Sequence, residues 1–434
     1  MPPSKWRDLI SPKVGLVRSV APQIRGMEEP LPPHLYTAIL SNFDFKVVDK
    51  QERIAAGKGR TEEEAIAAAV GEAVERYCAY HWDPRATFLS KRENLQLPAI
   101  YPEDCVLYSA HQYDSPGWQY HRWNPEEQVT WLAAVELPQR RPVAAPASLV
   151  YLVHPIARAE DFFAPATSNG LAAGPTLSGA ILGGLHELME RDALLITWMN
   201  RLPAVEIEVE GSGGAAARVW EHYARFGVQV RAFLMRTDLP AAVVMAIAFD
   251  GDPRRPAAVI GMGCHLDPAV ALDKAVFELC QGRPSESRRF LDHPPGERLR
   301  RYEDVQTLED HAAFVSQPER LHEFEFLWSR GERARVADLP NASSGEVERD
   351  LDTCVAALSE RGHRVAYADL TTDDVAECGL RVVRTLAAGL QPVHFGWGQE
   401  RLGGRRLFEL PARLGFGSAP RTEADLNPCP HPLA

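Results

Sequence analysis

The sequence lacks the features that would mark a membrane, exported or nucleic-acid-binding protein. No apolar run approaches the roughly 20 residues of a membrane helix. The first residues, MPPSKWRDLISPK, have no apolar core of the kind that directs export. Basic residues are in deficit, 47 Lys and Arg against 59 Asp and Glu, and a net charge of −12 argues against a nucleic-acid footprint. Seven dispersed cysteines form no C-x-x-C pair, which disfavours a disulfide framework or a zinc site and suits reduced thiols. No Ser-His-Asp or Cys-His arrangement stands out, and Cys78 has no basic neighbour in sequence, so a protein nucleophile is not expected. A cytoplasmic protein without membrane or nucleic-acid contacts is the expectation.

What the sequence does contain is one phrase written twice. GRTEEEAIAAAVGEAVER begins at Gly59 and GPTLSGAILGGLHELMER at Gly174. Both read as a Gly turn, a Thr N-cap and an amphipathic helix ending in E-x-x-E-R. Residues i and i+3 share a helix face, so Glu72 with Glu75 and Glu187 with Glu190 project together, each pair beside an arginine, Arg76 or Arg191. One such helix alone reads as a solvated face, but repetition and the small apolar flanks of Glu187 and Glu190 favour a buried functional site. Buried carboxylates need a cation. Mg²⁺ suits carboxylate oxygens and bridges them to phosphates, which the arginines would meet as forked donors. Ser168 and Asn169, in the loop before the second helix, are candidates for orienting substrate. Lys58 is equally a phosphate ligand or a surface lysine, and His186 is expected on the helix surface.

A third helix, DPAVALDKAVFELCQGR from Asp267, aligns partly with the first and places Glu278 opposite Glu72 and Gln281 opposite Glu75. It is either a degenerate third copy or an ordinary amphipathic helix. Four strands are expected at VEIEV, VQVRAFLM, AAVVMAIAF and AAVIGMGC, in antiparallel or mixed pairing because the connections look short. Residues 284–340 read as a connector, and S-x-x-E from Ser343 as a capping box. The ending LNPCPHPLA, with Pro428, Pro430 and Pro432, excludes a helix or central strand and predicts an extended, stiff arm.

Together AAGKGRTEEEAIAAAVGEAVERYCA, TSNGLAAGPTLSGAILGGLHELMERDALLITW and FELCQGR resemble the three signature segments of the YcaO family. The proline-rich ending and GGRRLFELPARLG resemble its azoline-forming branch, the cyclodehydratase D components. The resemblance implies an α+β, YcaO-like fold with repeated acidic helices on mixed or antiparallel sheets. It implies residues 1–54 as an N-terminal segment of the same unit, 55–416 as the catalytic domain and 417–434 as the tail. It also implies ATP and Mg²⁺ as cofactors. Glu72, Glu75, Glu187, Glu190 and Glu278 would hold the metal. Arg76, Arg191, Gln281, Arg283, Ser168 and Asn169 would contact the nucleotide, and Pro428, Pro430 and Pro432 would shape the catalytic centre. Lys13 and Arg18 are secondary phosphate-ligand candidates. The implied activity is ATP-dependent activation of a backbone amide in a ribosomal precursor peptide, giving thiazolines or (methyl)oxazolines. Thioamide or amidine formation, and a non-catalytic scaffold, are the alternatives. A separate leader-peptide-binding partner, E1-like or ocin-ThiF-like, and a homodimer are expected with it. Two positions depart from the family: Ala68 and Gly183 stand where serine is common.

Overall fold

Each acidic helix is entered from a strand, and the three strands lie in three different sheets. In the computed structural model, which describes residues 5–41, 53–154, 158–209, 214–294 and 296–433, β3 (Ile54–Gly59) leads into α1 (Glu62–Tyr80). In the same way β7 (Leu171–Gly174) leads into α2 (Leu177–Met199), and β11 (Ala258–His265) into α3 (Pro268–Asp292). Oxygen side chains cap all three: Thr61 accepts from the Glu64 N–H, Thr176 from Gly179 and Asp267 from Ala269.

The packing identifies α3 as a third copy. A Cβ on Gly57 would lie 2.1 Å from both the Ala65 carbonyl oxygen and the Ala69 nitrogen. On Gly263 it would lie 2.2 Å from the Ala271 oxygen and 2.5 Å from the Ala275 nitrogen. The same strand glycine thus admits the same turn of helix in the first and third units, an approach closed to any larger residue.

The first sheet, β1 (Val17–Pro22), β2 (His34–Leu40) and β3, is antiparallel. The central sheet is antiparallel throughout, in the order β4 (Thr87–Ser90), β5 (Val129–Leu137), β13 (Val365–Asp369), β14 (Arg381–Ala387), β7, with β6 (Arg141–Pro146) also on β5. The third sheet runs β11, β10 (Ala242–Phe249), β9 (Gln229–Leu234), β8 (Val205–Glu208), β12 (Arg333–Arg335), and only β12 pairs in parallel. From Ala180 to Met199, α2 is buried on nearly every side, as a core helix must be.

Three expectations need correction. A helix, Gly214–Ala224, separates β8 from β9, burying Ala216, Val219 and Tyr223 on one face. The connector expected from residue 284 is partly helix, because α3 continues through Pro284 to Asp292. The Ser343 box does not form: Glu346 caps the next helix without a side-chain bond, and Ser343 and Ser344 bond to Asp350 instead. The C-terminal arm is extended as expected, but it is buried. Trp198 donates its indole N–H to the Cys429 carbonyl at 2.9 Å, and Asn427 donates to the Met199 carbonyl.

Candidate functional site

Backbone N–H groups on the strands hold the glutamates. Glu72 accepts from Ala56, sixteen residues earlier, at 2.9 Å, and Glu278 accepts from Met262, also sixteen earlier, at 3.4 Å. Glu187 accepts from Gly170 at 3.1 Å. Glu75 reaches out of its own unit and accepts from Ala173 in β7 at 2.8 Å. The cations cross units too. Lys58, from the first unit, lies 2.7 Å from Glu278 of the third. Arg76 pairs with Glu72 at 2.7 Å, and Arg191 with Glu190 at 2.7 Å and Glu187 at 3.6 Å.

These side chains surround one cavity of about 1090 Å³, as large as the roomiest small-ligand sites. Its wall carries Lys58, Glu72, Glu75, Arg76, Ser168, Glu187, Arg191, Glu278 and Gln281, together with Ala68, Gly183, Pro432 and Leu433. Loss of water pushes the Glu75 carboxyl up to about 8, and the charges of Glu72 and Glu187 add to the shift. Burial raises Glu187, and raises Glu190 to about 7 with repulsion from Glu278 and Glu187. Glu278 also loses water, but Lys58 and Arg191 overcome that and hold it below the usual carboxylate range.

The wall carries an excess of carboxylates, with Glu286 and Glu309 besides Glu72, Glu75, Glu187 and Glu278, against Lys58, Arg76, Arg191 and Arg289. Burial makes Glu75, Glu187 and the adjoining Glu190 resist ionisation, and such a setting favours a bound divalent cation. Among the described residues no three acids, histidines or thiols converge into a cage.

Not every predicted residue reaches the cavity. Glu190 is buried just behind the wall, against Arg191. Asn169 turns the opposite way from Ser168 and lines a second, smaller cavity. Arg283 is not in the site: its guanidinium is buried between Glu29 and Asp250 and lies over the Tyr223 ring, 5.2 Å away. Of the tail prolines only Pro432 reaches the wall; Pro430 is buried elsewhere and Pro428 is exposed. Lys13 and Arg18 are exposed and away from the cavity. His186 is buried rather than on the helix surface, 5.1 Å from His265 ring to ring, with its pKa lowered to about 3 by burial. Sequence reasoning missed Gln23, which bonds to the Gln281 carbonyl and Ser285 from the far end of the chain. No local signal marks it.

Residues 56–391 match the family model described as YcaO cyclodehydratase, ATP- and Mg²⁺-binding. The chain belongs to the YcaO family. ATP and Mg²⁺ are the ligands of that family, and the wall described above fits both. An uncharacterized protein of Methanothermobacter thermautotrophicus is 32% identical over 363 residues, covering 81% of this chain and 85% of that protein. A solved heterocyclase in complex with substrate and cofactor superposes on 99% of this chain with a TM-score of 0.83 and 28% identity. The heterocyclase TruD covers 85% of this chain with a TM-score of 0.66 and 26% identity. The chain spans 56% and 50% of the length of those two heterocyclases. No helix among the described residues is long and apolar enough to cross a membrane.

Proposed function

We propose that the chain is an ATP- and Mg²⁺-dependent cyclodehydratase that converts Cys, Ser or Thr of a ribosomal precursor peptide into thiazoline or (methyl)oxazoline. The observation that carries this reading is the single wall on which three repeats present glutamates and cations and which Pro432 and Leu433 help to line. In such a reaction the side-chain thiol or hydroxyl loses its proton and attacks the preceding carbonyl carbon. The oxyanion takes the γ-phosphoryl group of ATP, and the oxygen departs as phosphate while the amide nitrogen gives up its proton to form the C=N bond.

Phosphoryl transfer needs alignment and charge neutralisation more than a protein nucleophile, and the absence of a reactive thiol fits. Burial pushes Cys78 up to about 11 and Cys105 to about 12. Mg²⁺, when bound, shields phosphate charge from the glutamates. Arg76 and Arg191, which pair with Glu72, Glu187 and Glu190, would meet phosphate oxygens, and Lys58 would add a point charge. Pro432 has no N–H and a fixed φ, which keeps the tail's part of the wall rigid.

A separate leader-peptide-binding partner would present the peptide in the cytoplasm, where the seven free thiols are at home. The exposed Ile24, Met27, Leu31, Ile39 and Ile54 of the N-terminal region support a homodimer.

The test is ATP-dependent loss of one water per cyclised residue, read by mass spectrometry on a Cys- or Ser-containing precursor. Deleting Pro430–Ala434 should abolish the loss while nucleotide binding persists. Glu190→Gln should weaken Mg²⁺-dependent nucleotide binding. Nucleotide binding that ignores both Mg²⁺ and Glu190→Gln would favour a scaffold instead.

A further inference from the structure

Ser168 lines the large cavity, but its neighbours Thr167 and Asn169 face a second cavity of about 100 Å³. Two guanidiniums line this small space, Arg384 and Arg401, and no acidic side chain does. Both arginines are buried, 2% and 5% exposed. Arg384 spends its donors on three carbonyls, Val150 at 2.9 Å, Asn169 at 2.6 Å and Thr167 at 2.7 Å. Arg401 reaches the Pro165 carbonyl only at 3.5 Å and stacks 4.9 Å from the Tyr108 ring, and its Nε has no partner.

Among the described residues neither arginine lies within ion-pair distance of a carboxylate. Elsewhere this molecule sets buried arginines between two carboxylates. Arg283 sits between Glu29 and Asp250, and Arg406 between Asp192 and Asp238. A guanidinium buried without a counter-charge is expensive, and Arg384 shows it: burial lowers its pKa to about 10, with only Glu187 opposing. That carboxylate is already engaged by Arg191 and the Gly170 N–H.

Four side chains of the same wall carry buried polar atoms without a partner. The Ser148 hydroxyl and Arg401 Nε are donors without acceptors, while Asn169 Oδ1 and Gln391 Oε1 are acceptors without donors. All four side chains are more than nine-tenths buried. Water would leave the two positive charges unbalanced, and a plain carboxylate would offer no donor to either acceptor, whereas the single proton of a hydrogen phosphate meets one of them. A tetrahedral oxyanion that keeps a proton supplies acceptor oxygens, negative charge and one donor together. The space is about 100 Å³ against about 1090 Å³ for the nucleotide cavity, a size suited to a small ion.

We propose that the cavity between Arg384 and Arg401 is a binding site for inorganic phosphate in its hydrogen phosphate form, separate from the nucleotide cavity. Phosphate is also what the proposed cyclodehydration releases, so the site's service to that reaction rests on the functional reading; the site itself does not. Through the Thr167 and Asn169 carbonyls, Arg384 links the small cavity to the turn that presents Ser168 to the large one.

The deciding experiment is a calorimetric titration of inorganic phosphate into the full chain saturated with Mg²⁺ and a non-hydrolysable ATP analogue. One phosphate should bind per chain with nucleotide in place. Arg401→Gln and Ser148→Ala should each weaken it by about tenfold or more, charge-assisted hydrogen bonds being the strong ones. Arg76→Gln, on the large cavity, should leave it within about twofold, since distant sites act independently. No uptake, uptake displaced by nucleotide, or uptake lost in Arg76→Gln and retained in Arg401→Gln would overturn the proposal. Should Arg401→Gln not fold, Ser148→Ala decides. Failure of the chain to bind nucleotide would defeat the functional reading alone, and the same titration without nucleotide would still decide this one.

Discussion

Glu75 holds a proton at neutral pH, because the loss of water that lifts its carboxyl to about 8 is reinforced by Glu72 and Glu187. A carboxyl whose folded pKa lies above its unfolded value loses stabilisation as pH rises from about 4.5 towards 8. A cation held by Glu75, as we propose, would reverse this by favouring the ionised form, so its uptake would expel the proton. Mg²⁺ affinity should therefore rise between about pH 6 and about pH 8.5, and calorimetry in buffers of different ionisation enthalpy should detect the released proton. Glu75→Gln should diminish the proton release, leaving the part that Glu190, raised to about 7, supplies, and an unchanged release in that variant would refute the assignment. Arg283 carries the complementary lesson. Its place after FELCQG resembled a nucleotide contact, yet Glu29 and Asp250, far off in sequence, claim it. His186 teaches the same, since it is buried against His265, a residue distant in sequence.

At the scale of elements, the strand glycines Gly57 and Gly263 set how closely α1 and α3 approach their strands. Gly263→Ala would drive a Cβ into backbone atoms of α3 and shift Glu278, with an expected cost of about 1–3 kcal/mol. Gly71→Ala, where a Cβ meets nothing within 4 Å, should instead stabilise α1 by about 0.5–1 kcal/mol. Urea denaturation of the two variants gives the comparison, and equal effects would discount the close-approach argument. The first two repeats were legible because Thr61, Thr176 and E-x-x-E-R are local signals of helix start and face. The third was half-legible, since Ala and Val matches alone do not separate a repeat from any amphipathic helix. Its identity rests on Gly263 and on the Met262 bond to Glu278, both of which need three dimensions. The run of α3 past Pro284 was hidden by the usual rule that proline ends a helix.

Across the whole molecule, the tail is fastened by a histidine cluster. His311 Nδ1 bonds to the His431 carbonyl at 2.7 Å, and His431 Nε2 to the His394 carbonyl at 2.6 Å. Burial lowers His311 to about 4 and places His394 and His431 well below the usual histidine range. Asp310 opposes the shift at His311, while Arg401 faces His394 and Arg191 faces His431, both disfavouring charge. A depressed histidine contributes stability that is present above its unfolded pKa of about 6.5 and lost as pH falls below it. The tail should loosen between about pH 6.5 and about pH 4, with rising hydrogen exchange at residues 427–433 while α1 stays protected. Equal protection at both ends of that range would remove the histidines from the account. The bond from Ala173 to Glu75 has a further consequence for how this molecule assembles. In the unfolded chain Glu75 is an ordinary solvated carboxylate; in the folded one the Ala173 N–H favours its ionised form, but burial and the charges of Glu72 and Glu187 outweigh that and raise its affinity for a proton. Folding at neutral pH should therefore be accompanied by proton uptake, at a centre that exists only once separate parts of the polypeptide have met.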